Sequence, residues 1–561
     1  MRFSRSFVLS GASLLVFAYF LAFFDEARWQ PSVDAAWLLG SLLWLVAWWP
    51  PGEKSPHGRL SHPWWFYALY VAALVPFGTN WRWSMTGDNL GWPLGGLHLA
   101  ERGPFKSFLS LYGADNFGYL QMVLHNAFMH LVEPTLFWHR VGKVFVGVLA
   151  LASVYAVFAR LVSRPFGLLV AGASATTSIW IVYTYASVPF MDGIASGYAA
   201  IALGLWIERE PRSRRAWLLL GALSGFMLFL TPNGWYLAAC VWAWLGWGVL
   251  RGRYEPRDFV LAASTGLLVA TPVFVQWATG RGDRLFSLVE NPNWSWAKIL
   301  RFFREALSLP FQSEIQSAGA FGPQLPPGFR WLFVPGVAAA LVFGKYLPGG
   351  YRILALYAVQ VVALVFSQGP YANVSVKRAL HLIPMATYFA FLPFHRWLSS
   401  TKVVLPVLAV WASFGISDVV FRMQPGRTGY TMLDGIIEAH QRFAPAEVCL
   451  YLTDDRFAGV LDPSHPVNRL YGLSPRVRRT KDLDPGSCRE VLCYSPQIDE
   501  LALEELGYRE VRLLNSVELR CGLGPEFPGS PLDKGEKTWL GALDRAIARI
   551  RGTKREAEEG G

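Results

Sequence analysis

Three short stretches of the chain hold residue types that could do chemistry. Thr86-Gly87-Asp88-Asn89 sets an acid in a Gly-flanked turn, where a carboxylate can act as general base on a hydroxyl or simply cap a turn or helix. Val374-Ser375-Val376-Lys377-Arg378-Ala379-Leu380 sets two adjacent cations at the head of an apolar run. Such a pair can hold a phosphate through charge-assisted, bidentate hydrogen bonds, or its side chains can snorkel to ordinary head groups. Pro189-Phe190-Met191-Asp192-Gly193 sets a second acid in a very short connection. Asp88 and Asp192 could share a divalent cation, Mg or Mn, through oxygen ligands; taken alone, Asp192 reads as a helix cap. His98, His125, His130 and His139 crowd the stretch after Asp88. None has the i, i+4 spacing that puts two imidazoles on one helix face for zinc, so they read as interfacial residues. His98 lies nearest Asp88 along the chain and keeps a substrate-binding role open.

The elements that must position these residues are membrane spans. Of 561 residues, 53% are hydrophobic and only 16% charged, against about 25% charged in a soluble domain. The 25 Trp residues suit a membrane–water interface. The net charge of +11 does not point to nucleic acid, because the basic residues fall between apolar runs rather than along one stripe. Those runs lie near 7–24, 35–50, 63–78, 141–159, 166–187, 190–207, 216–231, 234–250, 259–278, 331–344, 351–368, 379–395 and 403–421. Each must be helical, since lipid cannot satisfy open backbone groups. The first run has no small-x-small cleavage signal after it and reads as an uncleaved span.

Alternate connections are unequal in Lys and Arg. One set carries Arg2, Arg5, Lys54, Arg59, Arg160, Arg164, Arg209, Arg212, Arg214, Arg215, Arg251, Arg253, Arg257, Lys345, Arg352, Arg396 and Lys402. The short connections of the other set hold only Arg28, Lys377 and Arg378. Positive charge is retained in the cytoplasm, so the N-terminus is expected inside. All three candidate stretches, the long connections 79–140 and 279–330, and the C-terminal domain then fall outside. Both long connections contain amphipathic stretches that read as interfacial helices; in the second, simple packing of the loop onto the bundle is an equal alternative.

From about 422 the composition turns polar. Glu447–Thr453, Glu490–Tyr494 and Val511–Leu519 read as strands and Leu501–Leu506 as a short helix, an α/β pattern. Four of the five cysteines, Cys449, Cys488, Cys493 and Cys521, lie there, and one or two disulfides fit an oxidising compartment. Asp454-Asp455 reads as a turn before it reads as a metal site. The expected architecture is an all-α polytopic membrane bundle of about thirteen transmembrane helices over 1–421, then an extracytoplasmic α/β domain over 422–530. An amphipathic helix and flexible tail complete it over 531–561.

The arrangement resembles the GT-C class of membrane glycosyltransferases, which includes protein O-mannosyltransferases, aminoarabinose transferases and oligosaccharyltransferases. Gly87-Asp88-Asn89, followed by Leu97-His98-Leu99-Ala100-Glu101-Arg102-Gly103 and Tyr112, is similar to the family's first outer loop, with Asn89 where many members carry a second acid. Leu219-Leu220-Gly221-Ala222-Leu223-Ser224-Gly225-Phe226 resembles a Gly-containing mid-chain span. Lys377-Arg378-Ala379-Leu380-His381-Leu382-Ile383-Pro384 is similar to the head of a late span. The likeness covers roughly residues 60–400. It implies a polyprenyl-phosphate-linked sugar donor, a lipid, glycan or protein acceptor, and an inverting transfer. Asp88 would serve as base, Arg378 and Lys377 would hold the lipid phosphate, and Asn89 and His98 would bind substrate. Asp192 would resemble the second acid that some members use for metal. No Trp-Trp-Asp-Tyr-Gly stands in the C-terminal domain, which argues against an oligosaccharyltransferase. A bacterial inner membrane is the expected home. A transporter or flippase of a lipid-linked glycan, and a non-catalytic membrane scaffold, are the alternatives. The transporter would require charged residues within spans or broken helices.

Overall fold

The computed structural model describes residues 2–23, 31–50, 60–79, 96–97, 124–132, 135–185, 190–230, 232–278, 295–311, 315–316, 320–321, 324–326, 328–366, 376–422, 436, 439, 443, 446–451, 477–480, 489–494, 507–511 and 520–527. Two compact units result: residues 1–75 with 88–423, and residues 76–87 with 424–561.

Every apolar run in the first unit carries a helix. These are α1 (Arg2–Phe23), α2 (Pro31–Trp48), α3 (Trp64–Thr79), the short α4 (Ala127–Leu131), α5 (Leu136–Leu161), α6 (Arg164–Ala175), α7 (Ser178–Tyr185), α8 (Phe190–Arg209), α9 (Arg214–Met227), α10 (Pro232–Leu250) and α11 (Pro256–Ala278). The chain continues through α12 (Trp296–Ser308), a two-residue hairpin of β1 (Ile315–Gln316) and β2 (Ala320–Phe321), α13 (Phe333–Phe343), α14 (Gly350–Phe366), a 3-10 helix (Val376–Leu382), α15 (Ile383–Phe391) and α16 (Thr401–Arg422). Four of these helices, or five with the α6–α7 pair taken as one span, are long and apolar enough to cross a membrane, and seven shorter apolar helices accompany them. Leu14, Leu15, Leu38, Leu39, Leu69, Leu341, Val342, Val410 and Phe414 point outward. Water would penalise so much open apolar surface, and lipid does not; this is an integral membrane protein.

The run read as one span over 166–187 is broken. α6 and α7 meet at 68° across Thr176 and Thr177. Here Ser174-Ala175-Thr176-Thr177-Ser178 crowds hydroxyls that compete with the backbone for its own hydrogen bonds. Thr177 Oγ1 donates to the Ser174 carbonyl at 2.8 Å, and Thr176 Oγ1 to the Gly172 carbonyl at 3.1 Å. From α16, Trp411 Nε1 donates to the Ala173 carbonyl at 3.0 Å. The Gly172, Ala173 and Ser174 carbonyls at the break are thus satisfied inside protein, as a membrane interior demands.

The second long connection, where an interfacial helix and simple packing onto the bundle were the two readings, carries the amphipathic helix α12. Phe302 and Ala306 are buried, α12 packs on α14, and Trp296, Leu300 and Leu307 remain open. The amphipathic stretch anticipated in the first long connection, and the tail over 531–561, lie outside the described residues.

The second unit is built on a five-stranded sheet of β3 (Val448–Tyr451), β4 (Val477–Thr480), β5 (Val491–Tyr494), β6 (Arg509–Val511) and β7 (Arg520–Leu523), in the order β4-β3-β5-β7-β6. β3 runs parallel to β4 and β5, while β7 is antiparallel to β5 and β6. Successive residues face opposite sides: Val448 and Leu450 join Ile436, Phe443, Val491 and Leu523 in one core, while Cys449, Leu492, Tyr494 and Tyr508 form another. Cys493 and Cys521 stand opposite one another across β5 and β7 and are disulfide-bonded; Cys449 is disulfide-bonded as well. The helix anticipated over Leu501–Leu506 and the Asp454-Asp455 pair lie outside the described residues.

Candidate functional site

α5 and α8 pack along one another and begin at the same end of the bundle. The first turns of α5 carry His139, Arg140 and Lys143, and the first turn of α8 carries Asp192. The segment 124–126 crosses between them. His125, Asn126, His139, Arg140, Lys143 and Asp192 are all buried, Asp192 being 1% exposed. His125 Nε2 lies 3.5 Å from Asp192 Oδ2. His139 Nδ1 donates to Asn126 Oδ1 at 2.6 Å. Gly142 makes the crossing possible, because a Cβ there would come within 2.6 Å of the His125 carbonyl oxygen.

Buried charge is tolerated when paired and hydrogen-bonded, and Lys143 and Asp192 attract one another here. Desolvation, and then the positive charge of Lys143, push the His125 imidazole down to about 4, with Asp192 pulling the other way. His125 is therefore a neutral ring at neutral pH, able to donate from one nitrogen and accept at the other.

α8 also reaches the cationic stretch. Two turns beyond Asp192, Tyr198 OH donates to the His381 carbonyl at 2.8 Å, across 183 residues of sequence. Gln324 Nε2 donates to the Ala379 carbonyl at 3.2 Å. Both acceptors belong to the Val376–Leu382 3-10 helix, whose Ala379, Leu380, His381 and Leu382 are buried. The backbone carrying Lys377 and Arg378 is thereby tied to the helix that carries Asp192.

Of the residues singled out from sequence, Asp88, Asn89 and His98 lie outside the described residues, as do the side chains of Lys377 and Arg378. Asp192 sits in the first helical turn of α8, where a helix cap was one reading, and faces His125. Among the described residues no group of three His, Cys, Asp or Glu side chains could hold a metal ion; Asp192 and His125 together offer two donors. His125 and His139 are not interfacial: each is buried and held by a specific partner. Arg140, Lys143 and Asn126 were not singled out at all. A signal existed for Lys143, which interrupts Val141-Gly142-Lys143-Val144 one turn inside an apolar run. An ionisable residue there marks a functional or paired position.

No protein-family model matches the chain, and no curated protein matches it. Solved structures are similar at low identity. ArnT from Cupriavidus metallidurans, bound to undecaprenyl phosphate, is 12% identical with a TM-score of 0.47, covering 84% of this chain and 100% of that one. The same protein in the apo state is 13% identical with a TM-score of 0.46, over 82% of this chain and 98% of that one. The arabinosyltransferase EmbB from Mycobacterium smegmatis is 15% identical with a TM-score of 0.36, over 74% of this chain and 45% of that one.

Proposed function

We propose that the chain is a membrane glycosyltransferase that moves a sugar from a polyprenyl-phosphate donor to a lipid, glycan or protein acceptor, with inversion, on the extracytoplasmic side. The observation that carries the reading is the convergence on α8. An acid at its first turn, and the segment bearing Lys377 and Arg378, meet one helix from opposite parts of the sequence. The order and content of the sequence stretches described above support the same chemistry.

In this reading Asp88 takes the proton of the acceptor hydroxyl as that oxygen bonds to the anomeric carbon. The bond from that carbon to the phosphate oxygen breaks, with oxocarbenium-like character between. Arg378, helped by Lys377, stabilises the departing lipid phosphate. Asn89 and His98 hold substrate beside Asp88. Asp192, with Asp88, would contribute carboxylate ligands to a divalent cation such as Mg or Mn, which would supply charge neutralisation.

The positive-inside pattern supports an N-terminus in the cytoplasm, and a bacterial inner membrane is the home we propose. The disulfides of the second unit, Cys493–Cys521 and that of Cys449, add an independent reason to place that unit on an oxidising side.

A second reading, movement of a lipid-linked glycan across the membrane, is favoured by two features: the 68° break between α6 and α7, and charged side chains buried within the bundle. One experiment separates the readings. The purified protein is given polyprenyl-phosphate sugars, with undecaprenyl phosphate as the first carrier, beside Asp88→Asn and Arg378→Ala. Sugar transfer lost in both variants, with folding kept, is the expected result. A folded protein that moves lipid between the leaflets of liposomes and transfers no sugar would overturn the enzyme reading.

A further inference from the structure

Where α5 and α8 finish, Arg160, Arg164 and Arg209 come together, and among the described residues none of the three meets a carboxylate. Arg160 stands in the last turn of α5 and is only 9% exposed. Its Nη1 reaches the Ala156 carbonyl of its own helix at 3.4 Å, a weak bond, and its Nε is buried with no acceptor. Arg209, in the last turn of α8, donates to the Arg160 carbonyl, so two guanidiniums that repel one another are held side by side. Arg164 opens α6, whose N-terminus adds positive potential of its own. Gly167 lets α6 fold back on α5, since a Cβ there would lie 2.6 Å from the Ala159 nitrogen. Tyr155 feels the charge of Arg164, and its ring lies 5.6 Å from that of His62. Burial, and then the charge of Arg160, lower the His62 pKa from its ordinary 6.5, which sets that ring beside the same group of cations.

A buried cation is stable only when it is paired and hydrogen-bonded. The C-terminal dipoles of α5 and α8 supply about half a negative charge each, which leaves three guanidiniums far from balanced. Beside them Trp64 and Trp65 open α3 with their side chains exposed, Trp64 at 74% and with its ring 6.0 Å from His62. Exposed indoles of this kind sit at the head-group level of a bilayer.

From this we infer that Arg160, Arg164 and Arg209 hold the phosphate of an acidic phospholipid in the leaflet at this end of the bundle. The buried Arg160 fork supplies charge-assisted hydrogen bonds to the phosphate oxygens, and the exposed Arg164 and Arg209 meet the head group from the water side. Lipid is the source, rather than free phosphate, because the flanking indoles place the cluster at the head groups. A head group with net negative charge is required, because no acid stands among the three cations. The inference is independent of the transferase reading, whose groups belong to the end where α5 and α8 begin.

The test uses the full-length protein, freed of acidic lipid in a neutral detergent, beside Arg160→Gln. Each is titrated with phosphatidylglycerol, with phosphatidylcholine and with inorganic phosphate, and melting temperature and lipid retained in native mass spectrometry are read. Phosphatidylglycerol should raise the melting temperature of the parent by several degrees through mass action. Phosphatidylcholine, which carries the same phosphate with a balancing cation, should raise it far less, as should inorganic phosphate. Arg160→Gln should bind phosphatidylglycerol roughly 10- to 100-fold more weakly and lose most of the rise. Without acidic lipid it should melt at or above the parent, because a neutral amide has replaced an unpaired buried charge. The rise caused by phosphatidylglycerol decides. A parent with no rise, or a rise kept in full by Arg160→Gln, would overturn the inference, the second showing a merely structural arginine. Equal rises with phosphatidylcholine or inorganic phosphate would overturn the acidic-lipid assignment. Should Arg160→Gln fail to fold, Arg209→Gln, altered at an exposed side chain, takes its place: weakened phosphatidylglycerol binding supports the site, and unchanged binding overturns it.

Discussion

At the end of the bundle where α5 and α8 begin, charge is buried: Lys143, Arg140 and Asp192 lie inside, with His125 between helices. At the end where the same two helices finish, Arg160 and Asp258 are buried, but most charge stays nearer the surface. Arg352 forks onto Glu208 at 2.5 and 2.7 Å with its side chain 52% exposed, and its guanidinium stacks over Trp244. Arg214 approaches Asp258 at 3.6 Å, and Arg251 lies over Trp247. Exposed pairs cost little to form and contribute at most about 1 kcal/mol. Burying ions costs several kcal/mol each before pairing offsets it. Stability alone gives no reason to gather Arg140, Lys143, Asp192 and two histidines in one buried group, and this gathering is what marks that end as functional.

The largest expected effect comes from breaking the buried set. Lys143→Met leaves Asp192 without its ammonium and should destabilise the protein by about 3–5 kcal/mol, read as a fall in melting temperature in detergent. Adding Asp192→Leu should recover much of that stability and none of the sugar transfer; recovery of both would make the buried end a structural device only.

The disulfide sharpens the assignment of sides. Cys493 and Cys521 close a loop with a sequence separation of 28, and loop entropy alone gives about 3–4 kcal/mol for that length. Reduction of the intact protein should expose the region after 424 to limited proteolysis, while a pattern unchanged by reductant would count against a stabilising bond there.

His125 brings a pH dependence of similar or smaller size. Its folded pKa, about 4, lies below the ordinary 6.5, so the unfolded chain binds a proton more readily. Stability from this group is complete above about pH 6.5, falls as pH drops through the window from 6.5 to 4, and is lost below it, on the order of 3 kcal/mol in all. Melting curves across that range should flatten in His125→Asn, and an equal slope in both proteins would assign the dependence to other groups. The smallest effect belongs to the far end: Arg352→Ala should cost under about 1 kcal/mol and fade in high salt.

Much of the bundle was legible in sequence because lipid leaves the backbone one solution. Each apolar run became a helix, and the polar chain after 422 contains a sheet. The strand at Val477–Thr480 was hidden by Arg478 and Arg479, which mask its apolar alternation, and Arg520–Leu523 is short and begins with a cation. The site was only partly legible. His125 and Asp192 are far apart in the chain, and Asn126 meets His139 across a turn, so no local spacing announces either contact. The break after Ala175 left a visible trace in its hydroxyl cluster, which hydropathy alone averages away.

That break also sets how the bundle can move. The Trp411 indole spans from α16 to a carbonyl that α6 gives up at its end. Sliding α16 past α6 by one helical turn, about 5.4 Å, would strand the Trp411 N–H in a medium with no water to receive it and leave that carbonyl only the Thr176 hydroxyl. α6, α7 and α16 are therefore keyed like a ratchet and its pawl. Any rearrangement of the bundle must carry the three as one piece.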